Sequence, residues 1–343
     1  MKMTEDKLNR LKEILSVPTC SRDEVRMIEY LRKTLTENGY EPTVDEWGNI
    51  YVTKGTAEWY PCFIAHTDTV HKVNENLLII QEEMNDEVIL RGIDKTNNRP
   101  SGCGGDDKCG VYLCLEMLDT LPNVKIALFV SEEIGCKGSM HADPEFFKNV
   151  GYAIQYDSPE GDSMSLTLMG RYLYNQTSEF SEKVGGLITE AGIKNWAYHP
   201  YTDVWQIMEK FNIACLNLAA GYYRYHTDNE YVKVDEVQNG FELGLKLIEQ
   251  LGENRYENPK EERTYTYSWN GGYGGYSKSK QKPDTGGQKL LTEGKGEENK
   301  DGDEDYDDWQ DLFNSGEYLY TNRNKGGSSY YDRHWDNDDR FNY

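Results

Sequence analysis

Apolar residues recur at helical spacing over residues 4–16, where Leu8, Leu11, Ile14 and Leu15 share one face. A second helix is predicted over residues 22–38, with Val25, Ile28, Leu31 and Leu35 inward and Gly39 at the position after its C-cap. Strand patterns follow. TVDEWGNIYVTK reads as a hairpin around Trp47-Gly48-Asn49, YPCFIAH as a short apolar strand ending at His66, and LLIIQEEMNDEVILRGI as a hairpin turning at Asn85-Asp86. The glycine-rich SGCGGDDKCG leads into a helix that faces Val111, Cys114, Met117, Leu118 and Leu121 inward. VKIALFV is almost wholly apolar, as a strand covered on both faces should be, and it runs into Ser131-Glu132-Glu133. YAIQYD is a further strand ending at Asp157. Helical stretches near 178–191 and 202–210, the strand IACLNLAAG and a closing helix over 236–251 complete the series. Strands alternating with helices around apolar strands predict an α/β fold, a mostly parallel mixed sheet sandwiched by helices.

Composition divides the chain. Residues 252–343 contain four aliphatic residues (Leu290, Leu291, Leu312, Leu319) and no Val, Ile, Ala, Met or Cys. Such a stretch buries too little apolar surface to offset its ordering entropy, so the expected organisation is a domain over 1–251 and a disordered acidic, Tyr/Gly-rich tail over 252–343. Sixteen Tyr, Trp and Phe residues in that tail are many for a purely solvating segment. Trp309, Leu312 and Phe313 have the spacing of a short helix that docks on a protein partner, and a solvating tail with scattered aromatics is the other reading.

Charge then removes function classes. With 37 basic and 60 acidic residues the net charge is −23, which disfavours nucleic acid because its affinity rests on Lys and Arg at phosphates. No run of about 18 apolar residues occurs, and the N-terminus lacks an apolar secretory core, so neither a membrane span nor a signal peptide is expected. Seven cysteines, odd in number and without framework spacing, read as reduced thiols in a cytoplasmic protein.

The candidate chemistry lies in where acids and histidines fall. His66-Thr67-Asp68, Asp106, Glu132-Glu133, Asp157 and His226 each stand at or just beyond the carboxyl end of a predicted strand, the edge where open α/β sheets bind ligands. Carboxylates crowded there repel one another unless cations are present, and a mixed imidazole–carboxylate set suits a pair of zinc-like ions. Two such ions need a bridging carboxylate, terminal ligands for each, and a non-ligand carboxylate to move the proton of the attacking water. Adjacent glutamates can supply a ligand and a base, and an Asp two residues after His66 can hold the imidazole by its second nitrogen.

HTDTV, GGDDKCG, SEEIG, the strand-end Asp157 and GYYRYHTDNEYV, in that order over about residues 5–251, resemble the metal-site motifs of the dizinc peptidases related to peptidase T, carboxypeptidase G and aminoacylase. The resemblance implies that His66, Asp106 and Asp157 hold one ion, and that Asp106, Glu133 and His226 hold the other, with Asp106 bridging. Asp68 would orient His66 and Glu132 would act as general base. It implies two Zn2+ as cofactors, with Co2+ or Mn2+ as substitutes. That family inserts a lid and dimerisation domain between the last acidic ligand and the final histidine. Here the interval is 226 − 157 = 69 residues, so the lid is expected to be absent, the spacing is nearer the single-domain zinc aminopeptidases, and a monomer is expected.

The expected activity is exopeptidase hydrolysis of short peptides, as an aminopeptidase or di/tripeptidase. An N-acyl amino acid amidohydrolase and a non-catalytic metal-binding scaffold that presents the tail are the alternatives. Arg224 and Tyr223, with Tyr222, just before His226, are candidates to line the mouth and contact substrate. Asp203 reads as a helix N-cap, with contact to a substrate amine as the alternative, and His71, His141 and His199 as surface or core-edge histidines.

Overall fold

The computed structural model describes residues 2–168, 171–197 and 202–258. The first half contains α1 (Glu5–Ser16), α2 (Val25–Glu37), β1 (Thr43–Val44), β2 (Ile50–Lys54), β3 (Tyr60–His66), β4 (Leu77–Met84), β5 (Glu87–Asp94) and α3 (Gly105–Thr120). Then come β6 (Val124–Phe129), α4 (Lys137–Met140), α5 (Pro144–Phe147), β7 (Val150–Ser158), β8 (Ser163–Ser165), β9 (Thr167–Leu168) and β10 (Arg171–Tyr172). The remainder is α6 (Glu179–Glu190), β11 (Asn195–Ala197), α7 (Asp203–Phe211), β12 (Cys215–Ala219), β13 (Tyr222–Tyr223), β14 (Tyr231–Lys233) and α8 (Val234–Leu251).

The main sheet has the order β1-β2-β6-β3-β7-β12-β8-β11. Its centre, β6-β3-β7-β12, is parallel, while β1, β2 and β8 pair antiparallel to their inner neighbours. This is the mixed, centrally parallel α/β sheet expected from the apolar strands. β3, β6 and β7 are buried at every position, the signature of a sheet covered on both faces. Helix α3 is buried along most of its length and packs against β3, α1 and α8, so it shows no polar face. A second sheet, β13-β14-β5-β4, stands beside it.

Local differences have local reasons. Both hairpins form, with Asn85 and Asp86 at φ 52° and 64°, the left-handed pair that a two-residue turn demands. Val25 is 59 % exposed, because α2 starts there and its buried stripe runs instead through Met27, Leu31 and Leu35. The interval between Asp157 and His226 is spent on β8–β13, α6 and α7. Packing also continues past Leu251, the boundary read from the sequence. The Tyr256 ring is buried, its N–H donates to the Gly151 carbonyl (3.0 Å), and its carbonyl accepts from Ala214 N (2.8 Å). Asn258 follows with a 2.8 Å bond to the Asn212 carbonyl. Residues Met1–Lys260 form one compact unit. His199, Trp309, Leu312, Phe313 and the rest of 259–343 lie outside the described residues.

Candidate metal centre

The parallel register builds the site. Ile64 lies opposite Gln155, and continuing that register by two residues sets His66 level with Asp157. His66 also lies opposite Phe129, so β6 ends just short of the Ser131–Glu133 turn. Asp106 comes from the first turn of α3, which approaches closely enough to require glycine before it. A Cβ on Gly105 would meet Tyr222 Cβ and Val232 Cγ2 at 2.8 Å, and Gly104 has φ 67°. His226 arrives on the turn after β13.

These elements bring seven of the predicted residues together. His66 Nε2 lies 3.2 Å from Asp106 Oδ1, 3.7 Å from Asp157 Oδ1 and 3.8 Å from Glu132 Oε2. His226 Nε2 lies 3.2 Å from Asp106 Oδ2 and 3.1 Å from Glu133. Two three-residue donor groups result, His66–Asp106–Asp157 and Asp106–Glu133–His226, each with its ligand atoms within 4.8 Å of one another. The two oxygens of Asp106 point to different histidines, so this carboxylate belongs to both groups. Glu132 belongs to neither; its Oε1 lies 3.4 Å from the Cys136 thiol.

Asp68 sits underneath with no exposure. Its main-chain oxygen is 3.1 Å and its Oδ1 3.4 Å from His66 Nδ1. The same carboxylate accepts from Glu132 N (2.9 Å), Glu133 N (3.2 Å) and the Ser21 hydroxyl (2.7 Å). One residue thus holds the imidazole, through its main-chain oxygen and its carboxylate, and the main chain of both glutamates.

The electrostatics call for positive charge. Burial opposes protonation of His66, yet bonds to Asp106, Asp157 and Asp68 hold its pKa well above the ordinary value. His226 is likewise raised, against burial, to about 11 by Asp106 and Glu133. Burial and then the Asp106 charge push Glu133 up to about 7, and burial with the charges of Asp157 and Glu133 pushes Glu132 up strongly. Asp106 goes the other way: burial would raise it, but hydrogen bonds from His226 and His66 lower it. A carboxylate-rich cluster of two imidazoles and three acids, one of them shared, fits two divalent ions by donor type and count.

Other expectations fare differently. Tyr223 turns away, donating its hydroxyl to Glu236 (2.9 Å) and stacking on Tyr231. Exposed Arg224 lines a separate cleft with Glu82, Met84, Arg91 and Tyr231 rather than the carboxylate cluster. The β13–β14 hairpin thus sets Tyr223 against Tyr231 on the smaller sheet. Tyr222 does reach the site, its hydroxyl 3.4 Å from Asp157. Asp203 is not a cap. Thr202 occupies that position and Gln155 Oε1 accepts from Val204 N, leaving the Asp203 carboxylate buried beside Ser139, where burial raises its pKa to about 7. The cysteines form no disulfide, and all but Cys20 are buried.

Three supports were not visible in the sequence. Glu24 accepts from Ser131 N (3.1 Å) and its hydroxyl (3.0 Å). Asp107 accepts from His66 N (3.2 Å) and Gly110 N (3.0 Å). Glu230 holds the Asp106 loop. Each is an acid indistinguishable from a solvated one without its partners.

No family model and no curated protein matches the sequence. Solved structures match in fold. An aminopeptidase PepT from Bacillus cereus aligns with a TM-score of 0.57 at 16 % identity over 72 % of this chain and 98 % of its own. A tripeptidase from Staphylococcus aureus gives 0.56 at 15 % identity over 72 % and 98 %. The TET1 peptidase of Pyrococcus horikoshii gives 0.51 at 16 % over 70 % and 98 %. No helix among the described residues is long and apolar enough to cross a membrane. The chain therefore has the fold seen in these aminopeptidase, tripeptidase and TET-peptidase structures, with a carboxylate–histidine cluster at the carboxyl edge of its central strands.

Proposed function

We propose that this protein is a metal-dependent exopeptidase that hydrolyses short peptides, as an aminopeptidase or di/tripeptidase, with two Zn2+ ions for which Co2+ or Mn2+ would substitute. The observation that carries the reading is the Asp106 carboxylate, whose two oxygens serve two separate donor groups. In this reading His66, Asp106 and Asp157 hold one ion, and Asp106, Glu133 and His226 the other. Bound ions of this kind lower the pKa of a water and polarise the scissile carbonyl. Asp68 fixes the tautomer and orientation of His66 and aligns the Glu132–Glu133 turn. Glu132, outside both groups with its Oε2 3.8 Å from His66 Nε2, is placed to take a proton from the attacking water and return it to the leaving amine. The short interval between Asp157 and His226 suits a monomer, and the unpaired cysteines suit a cytoplasmic enzyme.

The test is an assay of Zn2+-loaded protein on a panel of dipeptides, tripeptides and N-acyl amino acids, with chelator-treated protein as control. Release of amino acids from free-amine peptides, lost on chelation and restored by Zn2+, is the expected result. Cleavage of N-acyl substrates alone would assign an amidohydrolase. Metal uptake without turnover on any of them would leave a binding scaffold.

A further inference from the structure

Outside the two donor groups, one buried acid touches three of the segments that feed them. Glu230 has no exposure. Its Oε2 accepts from Gly104 N (2.7 Å) and contacts His71 Nε2 (2.7 Å), while its Oε1 accepts from Asp106 N (3.1 Å). Its own carbonyl receives the Cys103 thiol at 3.7 Å, and its N–H donates to the Thr227 carbonyl at 3.1 Å. His71 belongs to the loop after β3 that begins with Asp68, Gly104 and Asp106 open α3, and Thr227 follows His226. The Glu230 carboxylate therefore joins the loop after His66 and Asp68 to the Asp106 loop, while its main chain, four residues past His226, is bonded into the His226 turn.

The tie is unevenly needed. His66 and Asp157 lie within β3 and β7, where sheet hydrogen bonds already fix the main chain. Glu133 and His226 lie on turns, and the His226 side chain is 41 % exposed at φ 62°. The second donor group consequently depends on loop registration, and the first much less.

We infer that Glu230 is a positioning residue that holds the Asp106 loop and the His226 turn in one register, and that it sets the affinity of the Asp106–Glu133–His226 position far more than that of His66–Asp106–Asp157. The inference rests on the two-ion reading above. Glu230→Gln tests it by replacing one acceptor with an amide that faces main-chain N–H groups. His71→Asn is the milder companion, removing only the imidazole contact.

Metal-free wild type and both variants are titrated with Co2+, following visible absorption and ion stoichiometry, with melting temperature measured in parallel. Wild type should take up two ions. Glu230→Gln should bind the first like wild type and the second about ten- to a hundredfold more weakly, with excess Co2+ restoring it. His71→Asn should show a smaller loss confined to the second ion. Equal weakening of both ions, or no weakening, in Glu230→Gln overturns the inference. If that variant does not fold, His71→Asn decides, and an unselective or absent effect there overturns it equally. Fewer than two ions on wild type instead refutes the two-ion reading, and this inference with it.

Discussion

Asp106 shows why single residues here have separable consequences. As Asn it keeps its shape but loses the charge shared by His66 and His226. Asp106→Asn should therefore lower metal content more than His226→Ala, which removes a ligand from one group only. Elemental analysis showing two ions retained in Asp106→Asn would exclude a bridging role. Glu132→Gln should behave oppositely: metal content unchanged, turnover down at least about a hundredfold, the low end for a general base. Loss of an ion from that variant would mean that the roles of the two glutamates are reversed. The clustering of these seven residues was legible because histidines and acids at strand ends form an unusual ordered pattern. Tyr223 and Arg224 were proposed from proximity in sequence to His226, which says nothing about which sheet a hairpin faces. Glu24, Asp107 and Glu230 were illegible since their roles consist wholly of bonds to distant main chain.

Among elements, glycines in two helices separate packing from propensity. A Cβ on Gly244 of α8 would lie 2.1 Å from the Tyr156 hydroxyl and 2.3 Å from Met117 Cε, where α8 closes on the core. Gly244→Ala should cost about 1–3 kcal/mol by overpacking. Gly186, exposed on α6, has nothing within 4 Å of its Cβ position, so Gly186→Ala should stabilise by up to about 1 kcal/mol through helix propensity alone. Thermal melts of the two variants should move in opposite directions. A common direction would show that one of these helices is not packed as described. The long elements were readable because apolar spacing reports burial directly, as in α1, α8 and β3. The short strands β8 and β11 were not, since pieces of three residues have no period and exist only through pairing with one another and with β12.

At the scale of the molecule, the decisive question is where the domain ends. Truncation after Asn258 should leave melting temperature, metal content and activity per bound ion at full-length values, with light scattering giving a monomer. Truncation after Leu251 should melt lower, since it discards the buried Tyr256 ring, worth about 1.5–3 kcal/mol, together with its main-chain bonds to Gly151 and Ala214. A loss of activity per bound ion in the 1–258 form would mean that later residues take part in catalysis.

The α/β class, the order of the long helices and strands, and the residue types gathered at one edge follow from the amino acids in order, because periodicity and donor chemistry are properties of local composition. Only the tertiary structure decided that the two oxygens of Asp106 face different histidines, that Asp203 is an uncapped buried acid, and that Glu230 fastens three loops. The same holds for the Tyr256 segment, which completes the domain. Each of these depends on contacts between residues far apart in the chain, and such contacts are set by sheet register and packing rather than by any pattern of neighbours.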